Sequence, residues 1–498
     1  MPRPARGLQA AAPVRLPGRA AAGTRRQGAQ ARAAGAAVVT AELQVGARLD
    51  RLPGWPFSRA VFAVLGAGFF CAYFDITNIG SALPKALEQF HAPVGSAGTV
   101  VGLGLWGYVA GAVLNSVLAD RWGRRPGLMT ATLLFGLGSL ASALSPGITT
   151  LTVARFVSGM GIGAALSVVS TYLSEVAPAR RRGRYMSWVT LPALLGNSAV
   201  PWFALWLVPS YSWGWRLMLA IPALAMVAFA FGFRVIPESP RWQAARGREE
   251  RALRAVADAE QRVRARTGLE LPEPVPARPV PVASGWRAWL TLVRPPHLKW
   301  TVLFFTIFFC VYFSAYSFTG LGITLLTQHG LSLTKSISLT LGSSFGGLIG
   351  AALAPLIADR WPRKVPAAAT TILLAADMIV LGVHPGNALF AAGYFLLSFQ
   401  LGIFAPMVYL LTAEHFPTQV RNAGVAITDG AGHAGGAIGP AVTLAVFQAG
   451  GFGATWLTLG LIFLLASLLL LLARNTTGVA LEKASGGELA AARSAVVD

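Results

Sequence analysis

The chain has 498 residues, of which 54% are hydrophobic and 12% charged, and 41 Lys and Arg against 20 Asp and Glu give a formal charge of +21. A mean hydropathy of +0.57 is too apolar for a water-soluble enzyme. So large a positive charge would suit a nucleic-acid binder if it were gathered into one patch, but it is scattered over alternate loops between apolar blocks of bilayer length.

Twelve such blocks are read at 59–83, 95–119, 127–145, 150–175, 185–207, 213–236, 300–326, 335–358, 365–383, 387–412, 421–447 and 451–473. Arg and Lys crowd one set of loops: the N-terminal tail, Arg121/Arg124/Arg125, Arg180 to Arg184, the 237–299 loop, Arg360/Arg363/Lys364, Arg421 and the C-terminus. The opposite loops hold only Lys85, Arg216 and Lys335. The positive-inside rule then places both termini in the cytoplasm, as an even number of spans requires.

Residues 1–58 are rich in Ala, Arg, Gly and Pro with only Glu42 and Asp50 as acids, and read as a disordered cytoplasmic tail. The composition also suits an organellar transit peptide. The first span, within the expected bundle 59–236, carries one acid, Asp75, in Phe69-Phe70-Cys71-Ala72-Tyr73-Phe74-Asp75. A carboxylate at membrane depth is expensive and marks an ion or solute path. Cys71 and Cys310 are the only cysteines, both inside spans, and imply no disulfide framework.

The second span contains Gly102-Leu103-Gly104-Leu105-Trp106-Gly107, formally a dinucleotide fingerprint. That motif needs a strand before and a helix after it. Here the glycines continue into Gly107-x-x-x-Gly111, the spacing of close helix packing, as do Gly159-x-x-x-Gly163, Gly342-x-x-x-Gly346-x-x-x-Gly350 and Gly435-x-x-x-Gly439.

The chain repeats itself at one offset. Asp120-Arg121-Trp122-x-Arg124 recurs as Asp359-Arg360-Trp361-x-Arg363 (359 − 120 = 239), and Glu175-x-x-Pro178-x-x-x-Arg182 as Glu414-x-x-Pro417-x-x-x-Arg421 (414 − 175 = 239). The opening stretch returns as Phe308-Phe309-Cys310-Val311-Tyr312-Phe313-Ser314 (314 − 75 = 239), with serine in place of the acid. The expected fold is therefore all-α integral membrane: 12 transmembrane helices as two parallel six-helix repeats, with a solute site between the halves near the midplane. The segment 237–299 is expected as a cytoplasmic linker with a surface helix from Arg241 to Thr267, supported by pairs such as Glu250/Arg254. Five prolines between 272 and 281 follow, and Trp286, Trp289 and Leu290 suit an interfacial segment. The second bundle is 300–473 and the C-terminal tail 474–498.

These motifs resemble the major facilitator superfamily over 59–473. Asp120-Arg121-x-Gly123-Arg124-Arg125 is similar to its signature loop, and Arg155-Phe156-x-x-Gly159-x-Gly161 to its fourth-helix motif. Glu175-x-x-Pro178-x-x-x-Arg182-Gly183 and Pro237-Glu238-Ser239-Pro240-Arg241-Trp242 resemble the sugar-porter and organic-ion branches. The resemblance implies a secondary transporter working by alternating access. The seventh helix, Ser314-Ala315-Tyr316-Ser317-Phe318-Thr319-Gly320, lacks the paired glutamines of sugar porters, and Ala405-Pro406-Met407-Val408-Tyr409 replaces their Gly-Pro-x-x-Trp. The expected function is movement of a small polar or anionic metabolite by proton-coupled symport. A sugar or polyol porter with an altered site is the alternative, and drug or metabolite efflux or a non-transporting sensor a second one.

Asp75 stands about 24 Å above Arg59 and Arg155 about 30 Å above Glu175 at 1.5 Å per residue, so the two charges can meet. Related porters form such a pair for proton coupling, and the resemblance carries that role to Asp75 and Arg155. Asp429 and His433, four apart on one helical face, are a second proton-coupling candidate. Tyr73, Asn78, Asn197, Tyr312, Tyr316 and Tyr409 are candidate cavity residues. Asp120, Arg124, Glu175 and Arg182 with Asp359, Arg363, Glu414 and Arg421 are expected to form a cytoplasmic gate. Asp377 reads as a peripheral polar residue. The partners expected are a small-molecule solute, H+ and the lipid bilayer, with no nucleic acid, no cofactor and no metal, and the chain is expected to be a monomer in the plasma (inner) membrane. Nothing in the sequence suggests an enzyme.

Overall fold

A computed structural model describes residues 43–232, 234–274, 286–357, 360–417 and 420–476. Among the described residues all regular structure is helical. The first half contains α1 (43–50), α2 (Ala60–Gln89), α3 (Gly95–Trp122), α4 (Arg124–Ala143), α5 (Ile148–Val176), α6 (Arg182–Leu207), α7 (Gly214–Ala220) and α8 (Leu224–Gly232). The linker carries α9 (Pro240–Ala245), α10 (Glu249–Thr267) and α11 (Trp286–Leu292). The second half has α12 (Leu298–Gln328), α13 (Leu333–Leu339), α14 (Gly342–Ile357), α15 (Lys364–Val383), α16 (Asn387–His415) and α17 (Arg421–Leu471).

Nine of the described helical runs are long and apolar enough to cross a membrane. Three further spans complete the expected twelve. The 26 residues of α6 are of spanning length but begin with Arg182 and Arg184. The helices α7 and α8, joined by a 3-10 turn at Pro222, form one shorter run. The 51 residues of α17 would be about 76 Å long if straight, far more than one bilayer. They are broken at Gly451, where φ is 75° and ψ −167°, so α17 is two spans joined at a residue free to take positive φ.

Packing repeats with the sequence. In the first half α2 lies on α6, α3 on α5 and α4 on α5; in the second, α12 lies on α17, α14 on α16 and α15 on α16. The halves meet along α2 with α12, α3 with α17, and α6 with α14. The glycine spacings mark backbone contacts. A Cβ on Gly107 or Gly111 would collide with the carbonyl oxygens of Phe156 or Met160 on α5, and one on Gly435 or Gly439 would meet those of Phe309 or Phe313 on α12. Without a hydrophobic drive between helices in lipid, such close approach supplies the dispersion contacts that hold the bundle.

Call the end bearing the α3–α4 loop the basic end and the opposite one the far end. At the far end the halves are shut backbone to backbone. Gly80 on α2 abuts the Thr319 carbonyl on α12, Gly102 on α3 abuts the Ala437 carbonyl on α17, and a Cβ on Gly98 would come within 2.9 Å of the Ala441 Cα.

Two expectations are corrected. Residues 43–58 are not a disordered tail: Val45, Leu49, Leu52, Trp55 and Phe57 are buried in one cluster with Ala252, Val256, Ala259 and Val263 of α10. Their burial costs the segment its freedom but removes large apolar side chains from water, each contributing about 1.5 to 3 kcal/mol. Residues 1–42 lie outside the described residues. The linker helix expected from Arg241 is two helices, α9 and α10, because the chain turns at Gly247 with φ +69°. The second ends at Thr267 as expected, with Glu249 and Glu250 in its first turn, Arg264 and Arg266 in its last and Gly268 left-handed behind it, the placement that complements the helix dipole and ends a helix.

Candidate functional site

Asp75 is fully buried midway along α2, and Arg155 on α5 is 4% exposed. Arg155 Nη1 donates to Asp75 Oδ1 at 2.8 Å and Nη2 to the Asp75 main-chain oxygen at 3.1 Å. Ser158 Oγ donates to Oδ2 at 2.8 Å and Ser139 Oγ to Oδ1 at 3.4 Å. Both carboxylate oxygens are thus satisfied, the condition under which a buried ion pair is tolerated. The small neighbours make room: a Cβ on Gly138 would collide with the Ser158 backbone. Arg155 also lines a cavity of about 30 Å³ between the halves with Gly104, Tyr108, Tyr316 and Gly320, large enough to hold water.

Towards the basic end the walls become aromatic around the second candidate pair. His433 Nδ1 is 3.1 Å from the main-chain oxygen of Asp429 and 3.7 Å from its Oδ2. Tyr409 donates its hydroxyl proton to Asp429 Oδ1 and stands 3.4 Å from the Tyr312 hydroxyl. The Tyr312 ring meets His433 edge-on at 5.3 Å and Tyr316 at 5.7 Å. Glycines permit this, since a Cβ on Gly432 would lie 2.7 Å from the Tyr312 ring and one on Gly436 would strike Tyr316. Tyr73 lies within electrostatic reach of Asp429 from the opposite half.

Sequence reasoning missed Tyr108. Its ring on α3 lies flat on His433 of α17, centroids 3.9 Å apart and 7° from parallel, joining the halves at the middle of the protein. Asn78 is brought elsewhere: it is fully buried and its Nδ2 donates to the Met218 carbonyl of α7 at 2.8 Å, which corrects its expected place in the cavity. Asn197 is partly exposed on α6. Asp377, expected at the periphery, is buried, with 8% of its surface exposed.

At the basic end the charged residues pair within each half. Arg124 holds Asp120 at 2.5 Å and Glu175 at 2.7 Å. Arg182 pairs not with Glu175 but with Asp50 of the N-terminal segment at 3.1 Å, and Arg241 holds the other oxygen of Asp50 at 2.8 Å. Glu238 accepts from the backbone N–H groups of Arg124 and Arg125 at the start of α4, at 2.8 and 3.2 Å. Burial pushes the Glu238 carboxyl up, and those donors pull it partly back. Gly123, at φ +121°, leaves the space that Glu238 fills. In the second half Arg363 holds Glu414 at 2.6 Å, and Arg421 Nε donates to the Ala413 carbonyl at 3.0 Å. Asp359 lies outside the described residues. Glu260 on α10 takes Arg48 at 2.8 Å and Arg51 at 2.6 Å. Burial works to raise its carboxyl, but these two arginines outweigh burial and hold it below the usual carboxylate value.

The sequence profile of the Major Facilitator Superfamily matches residues 65–383 and 323–496. The chain belongs to this superfamily. It is a multi-pass membrane transporter, not an enzyme. The niacin transporter NiaP of Acinetobacter baylyi is 26% identical over 439 residues, 87% of this chain and 98% of that one. The arabinose-proton symporter of Bacillus subtilis is 34% identical over 219 residues, 43% of this chain and 47% of that one. Among solved structures, the xylose transporter XylE from E. coli in its inward open conformation has a TM-score of 0.65 at 20% identity, covering 86% of this chain and 98% of that one. That likeness is one of fold. Among the described residues no group of three His, Cys, Asp or Glu side chains could hold a metal ion.

Proposed function

We propose that this transporter is a proton-coupled symporter of a small polar metabolite, working by alternating access as a single chain in the plasma membrane with both termini in the cytoplasm. The observation that carries the reading is the Asp75–Arg155 pair: one buried ionisable couple whose arginine stands on the wall of the space between the halves. Its protonation responds to geometry, because a nearby guanidinium favours the carboxylate while desolvation disfavours it. If a shift of α5 against α2 within the first half draws Arg155 back as the halves rock, the carboxylate takes up a proton, and its return expels that proton. The proton step is thereby tied to the state that exposes the solute.

The aromatic walls around Asp429 and His433 form the solute site, with Tyr73 and Tyr108 from the first half and Tyr312, Tyr316 and Tyr409 from the second. Contacts drawn from both halves let a bound solute favour one arrangement over the other. The basic end, read as cytoplasmic from its charge, carries the gate: Arg124 with Asp120 and Glu175, and Arg363 with Glu414, tie neighbouring helix ends within each half. The names of NiaP and the arabinose and xylose transporters support small metabolites as a class and protons as the driving ion. Uptake into proteoliposomes tests this. An imposed inward pH gradient should concentrate solute through the wild type, and uptake indifferent to that gradient would refute proton coupling.

A further inference from the structure

Asp377 on α15 is the buried acid that the coupling scheme leaves unused. It is 8% exposed, its Oδ2 is wholly enclosed with no hydrogen-bond partner, and no charged side chain among the described residues acts on it. An enclosed carboxylate oxygen with neither cation nor donor suits the neutral acid better than the ionised one.

Its surroundings connect it to the far-end closure. The space beside Oδ2 exists because residue 393 is glycine: a Cβ there would lie 2.6 Å from Asp377 Oδ2 and 3.5 Å from Phe318 Cζ. The Phe318 ring stacks on Tyr394 at 4.4 Å and meets Trp456 edge-on at 5.1 Å. Tyr394 Oη and Trp456 Nε1 are themselves buried without partners. The next two residues of α12 are the ones that shut the far end, Thr319 against Gly80 and Gly320 against Val101. One short stretch of α12 thus faces the other half with Thr319 and Gly320 and reaches with Phe318 to the gap at Gly393 that borders Asp377 Oδ2.

From this geometry we infer that Asp377 is a second proton-binding site, in the C-terminal half, closed by Phe318 when the far end is shut and opened to water when α12 moves away. The inference rests on the proton-coupled reading above. When the far end opens, water reaches the carboxyl, which can then exchange its proton with the far side. When Thr319 and Gly320 return to Gly80 and Val101, the acid is sealed in its neutral form. Tyr394 on α16, stacked on Phe318 with its hydroxyl turned to Gly322 of α12, is the titratable group beside this stretch. On α12 and α17 the facing groups are Phe318 and Trp456, and His329 stacks on Phe452 further towards the far end.

Asp377→Asn tests the site, since asparagine has the shape of the neutral acid. The variant should keep the wild-type unfolding temperature and solute binding, while fewer protons enter per solute and the pH profile of uptake loses one titration. Phe318→Ala, which opens the cover, should move that titration without removing it. An unchanged proton-to-solute ratio and pH profile in Asp377→Asn, in a wild type that does move protons, would overturn the inference and leave the coupling scheme standing. An Asp377→Asn protein that loses stability would overturn it as well, because it would show that the carboxylate is needed for the fold. A wild type that moves no protons would instead refute the coupling scheme itself.

Discussion

Replacing Asp75 by Asn removes the charge but keeps the shape, and its cost can be worked from the contacts. Arg155 keeps its bond to the Asp75 main-chain oxygen at 3.1 Å, and the asparagine oxygen can still accept from Nη1. The side-chain amide must face Ser158 or Ser139, whose hydroxyls can turn to accept. What is lost is the counter-charge to a guanidinium that is 5% exposed. Breaking a buried pair costs roughly 3 to 5 kcal/mol, and the retained bonds place this case near 3. Asp75→Asn should therefore unfold at lower temperature than the wild type, and adding Arg155→Gln should recover most of that loss. Coupling should not return: both variants should bind solute and exchange it across the membrane, yet fail to concentrate it under an imposed pH gradient. Concentrative, pH-driven uptake in either variant would refute the assignment of Asp75 as the coupling acid.

Other changes test other parts of the account. Gly80→Ala drives a methyl group into the Thr319 carbonyl, and overpacking of about 1 to 3 kcal/mol acts against the far-end-closed arrangement. A cysteine placed near Lys85 should then be labelled from the far side about tenfold faster or more, and unchanged labelling would remove that closure. Glu260→Gln leaves Arg48 and Arg51 without their acid, so trypsin should cut there sooner, with about 1 to 2 kcal/mol lost, between surface and buried pairs. Because the Glu260 carboxyl is held low, its contribution is present above the ordinary carboxylate value and vanishes as pH falls through the lower folded one. The wild-type and Glu260→Gln unfolding temperatures should accordingly converge in acid. Asp120→Asn should slow turnover with little loss of stability, since the Asp120 side chain is 65% exposed and surface pairs contribute about 0 to 1 kcal/mol. Wild-type turnover in that variant would remove Asp120 from the gate.

The parts legible in the sequence were those written in length and repetition. Apolar runs locate spans because only a helix satisfies its backbone in lipid, and one offset of 239 residues revealed the halves. Depth along two antiparallel spans was enough to bring Asp75 to Arg155 across 80 positions. Rotation about a helix axis was not legible, so Asn78, at the right depth, turned out to face α7. Tyr108 left no trace because its repeat position is Gly347 (108 + 239), and its stacking on His433 depends on how two halves dock. The N-terminal segment did carry a signal: Val45, Leu49 and Leu52 follow the i, i+4, i+7 spacing of one helical face, hidden by the Arg- and Ala-rich stretch before it. The partners of Asp50, Arg182 and Arg241, lie 132 and 191 positions away (182 − 50, 241 − 50), and no local pattern pairs them. Burial of Asp377 was likewise a matter of which face α15 turns inward.

Proton movement evoked by solute tests the central claim most directly. A solute that stabilises the purified protein against unfolding is added outside proteoliposomes holding a pH-sensitive dye, with no pH gradient imposed. Wild-type vesicles should acidify inside as solute enters, while Asp75→Asn vesicles take up solute to equilibrium with no change in pH. Solute entering wild-type vesicles with no acidification would contradict proton-coupled symport.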